Sequence, residues 1–425
     1  MESSRNRARR RRLRISVTIL LIQATGNDHP GIIEQLTSSL TGRGVRILDI
    51  GQAVIHRTLN LGILVEVSTA DDQLEDSLAA VGTELGLTVR SSRVGVEEYQ
   101  AWVARHSEGR HVITLFGPCI RAEHLKHLGR ITRTFGLNIA TITRLSGRVS
   151  LTSSCAEINA CIELGVRGAP NDPIALRREL MAVANELQCD IGFQEDNVWR
   201  RNRRMIAFDM DSTLIQAEVI DELARAYGVV EQVSAITEAA MNGELDFDQS
   251  LRKRLGLLKG LGTNVMDSIA HSLPITPGAE RLIRTVRALG YKTAILSGGF
   301  TYFGHYLQRK LGIDYVYANE LEVADGKLTG NVVGPIVNGA RKAELLQELA
   351  HQENIVLDQV IAVGDGANDL PMLGVAGLGI AFHAKPKVRE SAKQQISTSG
   401  LDGILYLMGV RDRDVERLGS IDVSQ

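Results

Sequence analysis

Residues 206–214 read IAFDMDSTL, an apolar run that ends in two carboxylates one residue apart and then two hydroxyls. A strand that merely reaches the surface can end this way, because Asp, Ser and Thr are turn formers. Two acids on one side of a turn repel each other, however, and a site tolerates that cost where a cation or a charge transfer uses it. Further apolar runs follow: YKTAILSGG (291–299), QVIAVGDG (359–366) and LGIAF (378–382). Each is too continuously apolar for a sheet with one wet face. The fold they predict is α/β, a parallel sheet covered by helices on both sides.

Ligand sites in such sheets gather at the C-terminal strand ends. The first run delivers Asp209 and Asp211 there, the second Ser297 and Gly298, and the third Asp365, followed by Asn368 and Asp369 in GDGAND (364–369). Lys342, in NGARKAELL, stands near a predicted helix start between the last two runs. Singly, each has a dull explanation: Ser-Gly-Gly and Asp-Gly are common turns, and a lysine near a helix start usually faces solvent. Together they bring three carboxylates into one crevice, which requires a cation. Oxygen donors without His or Cys select a hard ion such as Mg²⁺. A metal, a lysine, a serine hydroxyl and glycine amides form a receptor for a tetrahedral phosphate, and a carboxylate beside the metal can serve as its nucleophile. No GxxxxGK[ST] loop occurs, so the lysine acts as a point charge without a P-loop.

Upstream the pattern is different and occurs twice. Strand 15–22, a helix to about residue 39, strands 44–50 and 61–67, helix 71–86 and a strand near 88–94 make a βαββαβ unit. Asp28 and Pro30 in DHPG (28–31) suit the start of its first helix. About 92 residues later Gly44-Val-x-Ile-x-x-Ile50 is echoed by Gly136-Leu-x-Ile-x-x-Ile142, with strands at 111–116, 156–164 and 189–194 and a helix at 172–187. Two occurrences mean a duplicated small domain, not a solenoid. RRNRR (200–204) reads as a polar break before the third domain.

Charge is spread unevenly. Residues 1–14 hold seven Arg against one Glu, so a chain of net charge −2 carries −8 over the remainder. The body is therefore no nucleic-acid binder, and the tail reads as a basic disordered end. The apolar run after the tail is only eight residues long, and QATGNDHPG then reads as strand, loop and helix cap rather than a cleavage region; no segment approaches the length of a membrane span. Cys119, Cys155, Cys161 and Cys189 fit neither a zinc site nor a disulfide framework, which suits a reducing cytoplasm.

DMDST (209–213), SGG (297–299), Lys342 and GDGAND (364–369) resemble the four ordered motifs of the haloacid dehalogenase superfamily, and residues 203–408 most resemble its phosphoserine phosphatases. The two upstream units resemble ACT domains, regulatory modules that commonly bind amino acids where two of them pair; two modules serving assembly alone is the other reading. The resemblance implies a basic tail (1–14), ACT-like domains at 15–97 and 108–196, a phosphatase domain at 203–410 with a helical cap at about 218–278, and a C-terminal tail (411–425). It implies Asp209 as nucleophile and Asp211 as proton donor and acceptor. Magnesium would be held by Asp209, the Asp211 main-chain oxygen and Asp365, with Asp369 orienting the site. Ser297, Gly298, Lys342 and Asn368 would hold phosphate. Glu218 and Arg254 would read the ammonium and carboxylate of O-phospho-L-serine, and Met241 and Phe247 would form an apolar wall. The implied activity is the last step of serine biosynthesis in a cytoplasmic homo-oligomer, a dimer favoured, with L-serine a ligand of the ACT pair. A phosphotransferase acting on another alcohol such as homoserine is the alternative. The second copy has FGPCIRA (116–122) where the first has GNDHPGI (26–32), so a ligand role for both copies is not implied equally.

Overall fold

The computed structural model describes residues 18–67, 72–105, 109–152 and 159–419. The arginine-rich tail and the last residues of the chain lie outside them. Residues up to 108 and from 109 onward form two separate units.

In the first unit, β1 (Thr18–Asn27), α1 (Ile32–Ser38), β2 (Arg46–Ile55), β3 (Thr58–Val67), α2 (Asp72–Glu84) and β4 (Leu87–Val94) build an antiparallel sheet of order β2-β3-β1-β4. Alternate residues Leu20, Ile22 and Ala24 of β1 are buried with Leu36, Leu74 and Leu78 of the two helices. β1 runs five residues further than the predicted strand. Helix α1 therefore starts after Gly31 (φ 96°), and Asp28 gives its N–H to Arg57 O instead of capping it. A helix missed in the sequence, α3 (Val96–Ala104), shares a 380 Å³ cleft with Leu21 and Leu64 on the sheet's other face, through Tyr99 and Trp102.

The second unit opens with the same topology: β5 (Arg110–Gly117), α4 (Ala122–Thr134), β6 (Asn138–Arg144), β7 (Ala160–Arg167), α5 (Pro173–Leu187) and β8 (Asp190–Glu195), in order β6-β7-β5-β8. Asp172 caps α5, accepting from Ile174 N and Ala175 N. Ile113, Leu115, Ile191 and Phe193 face α4 and α5. The alternate residues face the next domain, and Phe116, Leu145 and Cys161 belong to its core. RRNRR is correspondingly no wet linker. Arg200 is buried against Glu163 of β7, and Arg203 is buried and donates to the Asp358 carbonyl.

That domain begins at β9 (Met205–Phe208) and departs at once into a four-helix cap, α6 (Val219–Tyr227), α7 (Val230–Met241), α8 (Phe247–Leu257) and α9 (Asn264–Ser272). It returns through α10 (Ala279–Ala288), β10 (Lys292–Phe300), α11 (Thr301–Leu311), β11 (Tyr315–Ala324) and β12 (Lys327–Val333). There follow α12 (Gly339–Gln352), β13 (Val360–Gly364), α13 (Leu370–Val375), β14 (Leu378–Phe382), α14 (Pro386–Ser391), β15 (Gln394–Ile396), α15 (Gly403–Leu407) and α16 (Asp412–Gly419). The sheet order is β12-β11-β10-β9-β13-β14-β15, parallel except for β12. Ile206, Phe208, Ile295, Ile361 and Val363 pack on one face, and Met205, Ala207, Ala294, Leu296 and Ala362 on the other. This is the two-sided burial that continuous apolar strands demand. Residues 412–419 are not a tail: Asp412 receives Arg281, Tyr406 and Gly147 N, fastening α16 to the body. Among the described residues no helix is long and apolar enough to cross a membrane.

Candidate active site

The chain leaves β9 toward β10 on one side and later returns to β13 on the other, so the strand order reverses beside the C-terminal end of β9. Such a switch point opens a crevice, and Asp209 is the first residue in it. Its N–H still pairs with Val363 O, while its side chain accepts from Met210 N. Met210–Leu214 then turn tightly, with Ser212 in the left-handed region at φ 55°. The turn carries Asp211 away from any strand-like alternation with Asp209. Asp211 Oδ1 accepts from Val219 N, the first residue of α6, at 2.9 Å. Asp211 Oδ2 stands over Gly299, where a Cβ would lie 2.4 Å from it.

Lys342 is fully buried in the first turn of α12, a helix capped by Asn338, whose side chain accepts from Arg341 N. Its ammonium lies 2.9 Å from Asp209 Oδ1 and 2.7 Å from Asp369 Oδ1. Burial works against this charge, yet the two carboxylates outweigh it and hold the lysine pKa above its ordinary value. Asp369 also accepts from Gly366 N, and Asp365 from Thr213 Oγ1 at 3.0 Å. Ser297 is buried and its hydroxyl accepts from Gly299 N.

Carboxylate oxygens of Asp209, Asp365 and Asp369 all lie within 4.8 Å of one another. One lysine cannot balance three clustered acids, two of them buried. Burial, with the Asp209 charge adding to it, pushes Asp365 up to about 8 and Asp369 up to about 6. A hard divalent cation would return them to carboxylates, and an all-oxygen donor set suits Mg²⁺ better than softer metals. Chelation should therefore abolish turnover, and Mg²⁺ should restore it. It should also raise the melting temperature of the chelated protein, by up to about 2.7 kcal/mol of stabilisation at a hundredfold excess over Kd. An unchanged melting curve would contradict a built metal site.

The cap closes the crevice. Asp246 and Gln249 form a reciprocal capping box that starts α8 at Phe247. Phe247, Leu251 and Arg254 then share one helical face and line a cavity of about 150 Å³ with Asp209, Asp211, Glu218, Ser297, Asp365 and Asn368. Burial lowers the Arg254 pKa against the charges of Glu218, Asp221 and Asp211. Glu218 precedes α6, but its side chain accepts from Ser212 Oγ at 2.7 Å instead of capping the helix. Burial raises its pKa, and burial with the Glu218 and Asp209 charges raises that of Asp211. A Cβ on Gly298 would stand 2.6 Å from Phe247 Cζ, so the glycine admits the cap's aromatic ring. Met241 ends α7, and its side chain lies outside the described residues.

A model of haloacid dehalogenase-like hydrolases matches residues 206–374, and one of ACT domains matches residues 18–92. The chain is 41% identical over 400 residues to a phosphoserine phosphatase of Mycobacterium tuberculosis, covering 93% of this chain and 94% of that one. It belongs to the phosphoserine phosphatase family of haloacid dehalogenase-like hydrolases. A phosphoserine phosphatase of Streptomyces coelicolor is 39% identical, with 94% of each chain covered. A haloacid dehalogenase-family hydrolase from Salmonella enterica serovar Typhi superposes with a TM-score of 0.61 at 34% identity, covering 70% of this chain and 98% of that one.

The acids sit where the C-terminal ends of β9, β10 and β13 meet. Several supporting residues carried no sequence signal. Asn319 is buried and donates to Gly298 O while accepting from Val337 N, joining the Ser-Gly-Gly turn to the approach of α12. Those partners are 18 and 21 residues away, beyond any local motif. Asn338 donates to Asp248 Oδ1 at 3.1 Å and so ties the Lys342 helix to the cap. Leu251 was findable, midway between Phe247 and Arg254 on the helical period. The β11–β12 hairpin, turning at Asp325-Gly326, packs on α8 and adds no residue to the cavity lining.

Proposed function

We propose that the protein hydrolyses O-phospho-L-serine to L-serine and inorganic phosphate, the last step of serine biosynthesis. The observation that carries this reading is one small cavity holding Asp209, Lys342's partner, at its floor and Glu218 and Arg254 on its cap side. At about 150 Å³ it is well below the roughly 300–1,000 Å³ of drug-sized sites, which favours a compact phosphoester. Glu218 suits the substrate ammonium and Arg254 its carboxylate.

In this reading an Asp209 oxygen attacks phosphorus, the bond from phosphorus to the seryl oxygen breaks, and Asp211 gives that oxygen a proton. Water then attacks the aspartyl phosphate, Asp211 takes its proton, and the bond between phosphorus and Asp209 breaks. The raised Asp211 pKa supports the donor half of this role, since its Oδ2 is left for the proton while Oδ1 is held by Val219 N–H. Lys342, Ser297, Asn368 and the Gly298 amide would balance and orient the phosphoryl oxygens. Asp209, Asp365 and the Asp211 main-chain oxygen would hold magnesium, oriented by Asp369, and the ion when bound supplies positive charge to the same oxygens. Phe247, with Met241, would supply the apolar wall. The second βαββαβ unit, with the strand order of the first, supports a tandem ACT arrangement. L-serine as its ligand and a cytoplasmic homodimer are parts of the same proposal. Strand β2, an open edge exposing Ile47, Ile50, Val54 and Ile55, supports self-association.

Steady-state assays on a panel of phosphomonoesters with Mg²⁺, with and without acceptor alcohols, test the activity. Equal rates on sugar phosphates and phosphoserine would sink the substrate assignment, and a new phosphoester would indicate transfer. Arg254→Ala should lower kcat/KM for phosphoserine by about 10- to 100-fold, the worth of a charge-assisted hydrogen bond, mostly through KM. Phosphoethanolamine, which lacks the carboxylate, should lose almost nothing. Equal losses on both would mean that Arg254 only packs.

A further inference from the structure

Asp190 begins β8, where it pairs with Phe116 of β5; it is 1% exposed, and its carboxylate turns to the phosphatase domain. Its two oxygens accept from three successive backbone amides: Ser397 N at 2.6 Å, Thr398 N at 3.2 and 3.3 Å, and Ser399 N at 2.9 Å. Successive amides that converge on an anion form a fixed positive pocket, so this carboxylate sets the course of the segment. Nearby, the Gln394 side-chain amide pairs with both the N–H and the C=O of Phe193, closing the exposed edge of β8. Gln194 donates to Leu407 O.

The segment held by Asp190 leads to the cap hinge. Leu401 N donates to Pro277 O at 2.9 Å, and Asp402 pairs with Arg281 at 2.7 Å. A Cβ on Gly400 would lie 2.6 Å from Pro277 O, so the two chains are in direct contact. Pro277 follows the short segment by which the chain comes back from the cap. That segment meets the outgoing one in a single antiparallel bridge at Ile215 and Ile275, through Gln216 N to Pro274 O at 2.8 Å and Thr276 N to Leu214 O at 2.9 Å. Leu214 and Gln216 are the link from the Asp209–Asp211 turn to Glu218. The position equivalent to Asp190 in the first module, across β1 from Thr25 as Asp190 is across β5 from Phe116, holds Thr88. The first module carries no carboxylate there.

We infer that Asp190 is a positioning residue for the reaction: through residues 397–402 it braces the cap hinge, making the second module part of the catalytic apparatus. Without the brace the cap is closed for a smaller fraction of the time, and apparent substrate affinity falls by that fraction while the closed complex turns over as before. The kinetic arm rests on the phosphoserine reading, and the exchange arm does not.

Asp190→Ala should raise KM for phosphoserine about five- to tenfold with kcat changed less than about twofold. Asp190→Asn, which keeps one oxygen acceptor, should fall between it and the wild type. Hydrogen exchange at the Gln216 and Thr276 amides should quicken by the same factor in Asp190→Ala. In the wild-type chain, the amides of Ser397–Ser399, Leu401, Gln216 and Thr276 should open as one unit. A lower melting temperature or lower kcat with unchanged KM and unchanged hinge exchange would make Asp190 a structural staple and overturn the inference. Hinge amides that open independently of 397–399 in the wild type would overturn it without any variant. A wild type inactive on phosphoserine but with linked exchange would overturn only the substrate reading.

Discussion

Asp209→Asn is expected to reduce kcat by at least about a thousandfold while leaving the chelated protein as stable as the wild type or more so. The amide has no anionic oxygen to offer phosphorus, so no aspartyl phosphate can form. The stability half follows from the surroundings. The Asp209 charge raises the pKa of Asp211, Asp365 and Asp369, which means that it opposes ionisation of three neighbouring acids. Removing it relieves that repulsion, and Lys342 keeps Asp369 at 2.7 Å as a partner. Single-turnover rapid quench and thermal melts in chelator measure the two halves. Asp211→Asn should behave differently, forming and hydrolysing the intermediate slowly, because it retains the nucleophile but cannot carry a proton. Residual fast turnover in Asp209→Asn would remove the residue from its proposed role, and a large loss of stability would show that its pairing with Lys342 outweighs the repulsion.

The parts of this site that the sequence makes legible are those that lie at the ends of apolar runs. IAF, TAIL and VIAV become β9, β10 and β13 because only strands buried on both faces accommodate such runs, and the acids follow at their C-terminal ends. β15 is the contrary case. Its residues Gln394, Gln395 and Ile396 have no apolar pattern, and Gln394 is buried because its amide completes the edge of β8. Arg200 and Arg203 mislead for the same reason: their charge suggests solvent, while Glu163 and the Asp358 carbonyl, far away in the chain, receive them. Helix α3 is short and follows β4 after a single residue, Gly95, so it reads as linker until Tyr99 and Trp102 are seen against the sheet's open face. In the cap, Phe247 and Arg254 are pointed to by the family resemblance alone, whereas the Asp248–Asn338 tie spans 90 residues and has no local trace. Local physics fixes the strand ends, and tertiary pairing fixes what holds them in register with the cap.

Lys342→Met should prove the most damaging single change, costing stability as well as turnover. The side chain is fully buried, and methionine matches its length without its charge. Asp209 and Asp369 would then share an apolar site with no cation between them, and breaking a buried pair from one side costs about 3–5 kcal/mol. Added Mg²⁺ should return part of that loss, because it neutralises the same carboxylates, but kcat should stay depressed by about a thousandfold for want of charge on the phosphoryl oxygens. The double change Lys342→Met with Asp369→Asn separates the two effects. Removing both partners of a buried pair is far less costly than removing one, so most of the lost stability should come back while activity does not. Melting curves of the two variants with and without Mg²⁺ decide the matter. If Lys342→Met melted where the wild type does, the acids would already be protonated in its absence, and the charge balance argued for this crevice would be wrong.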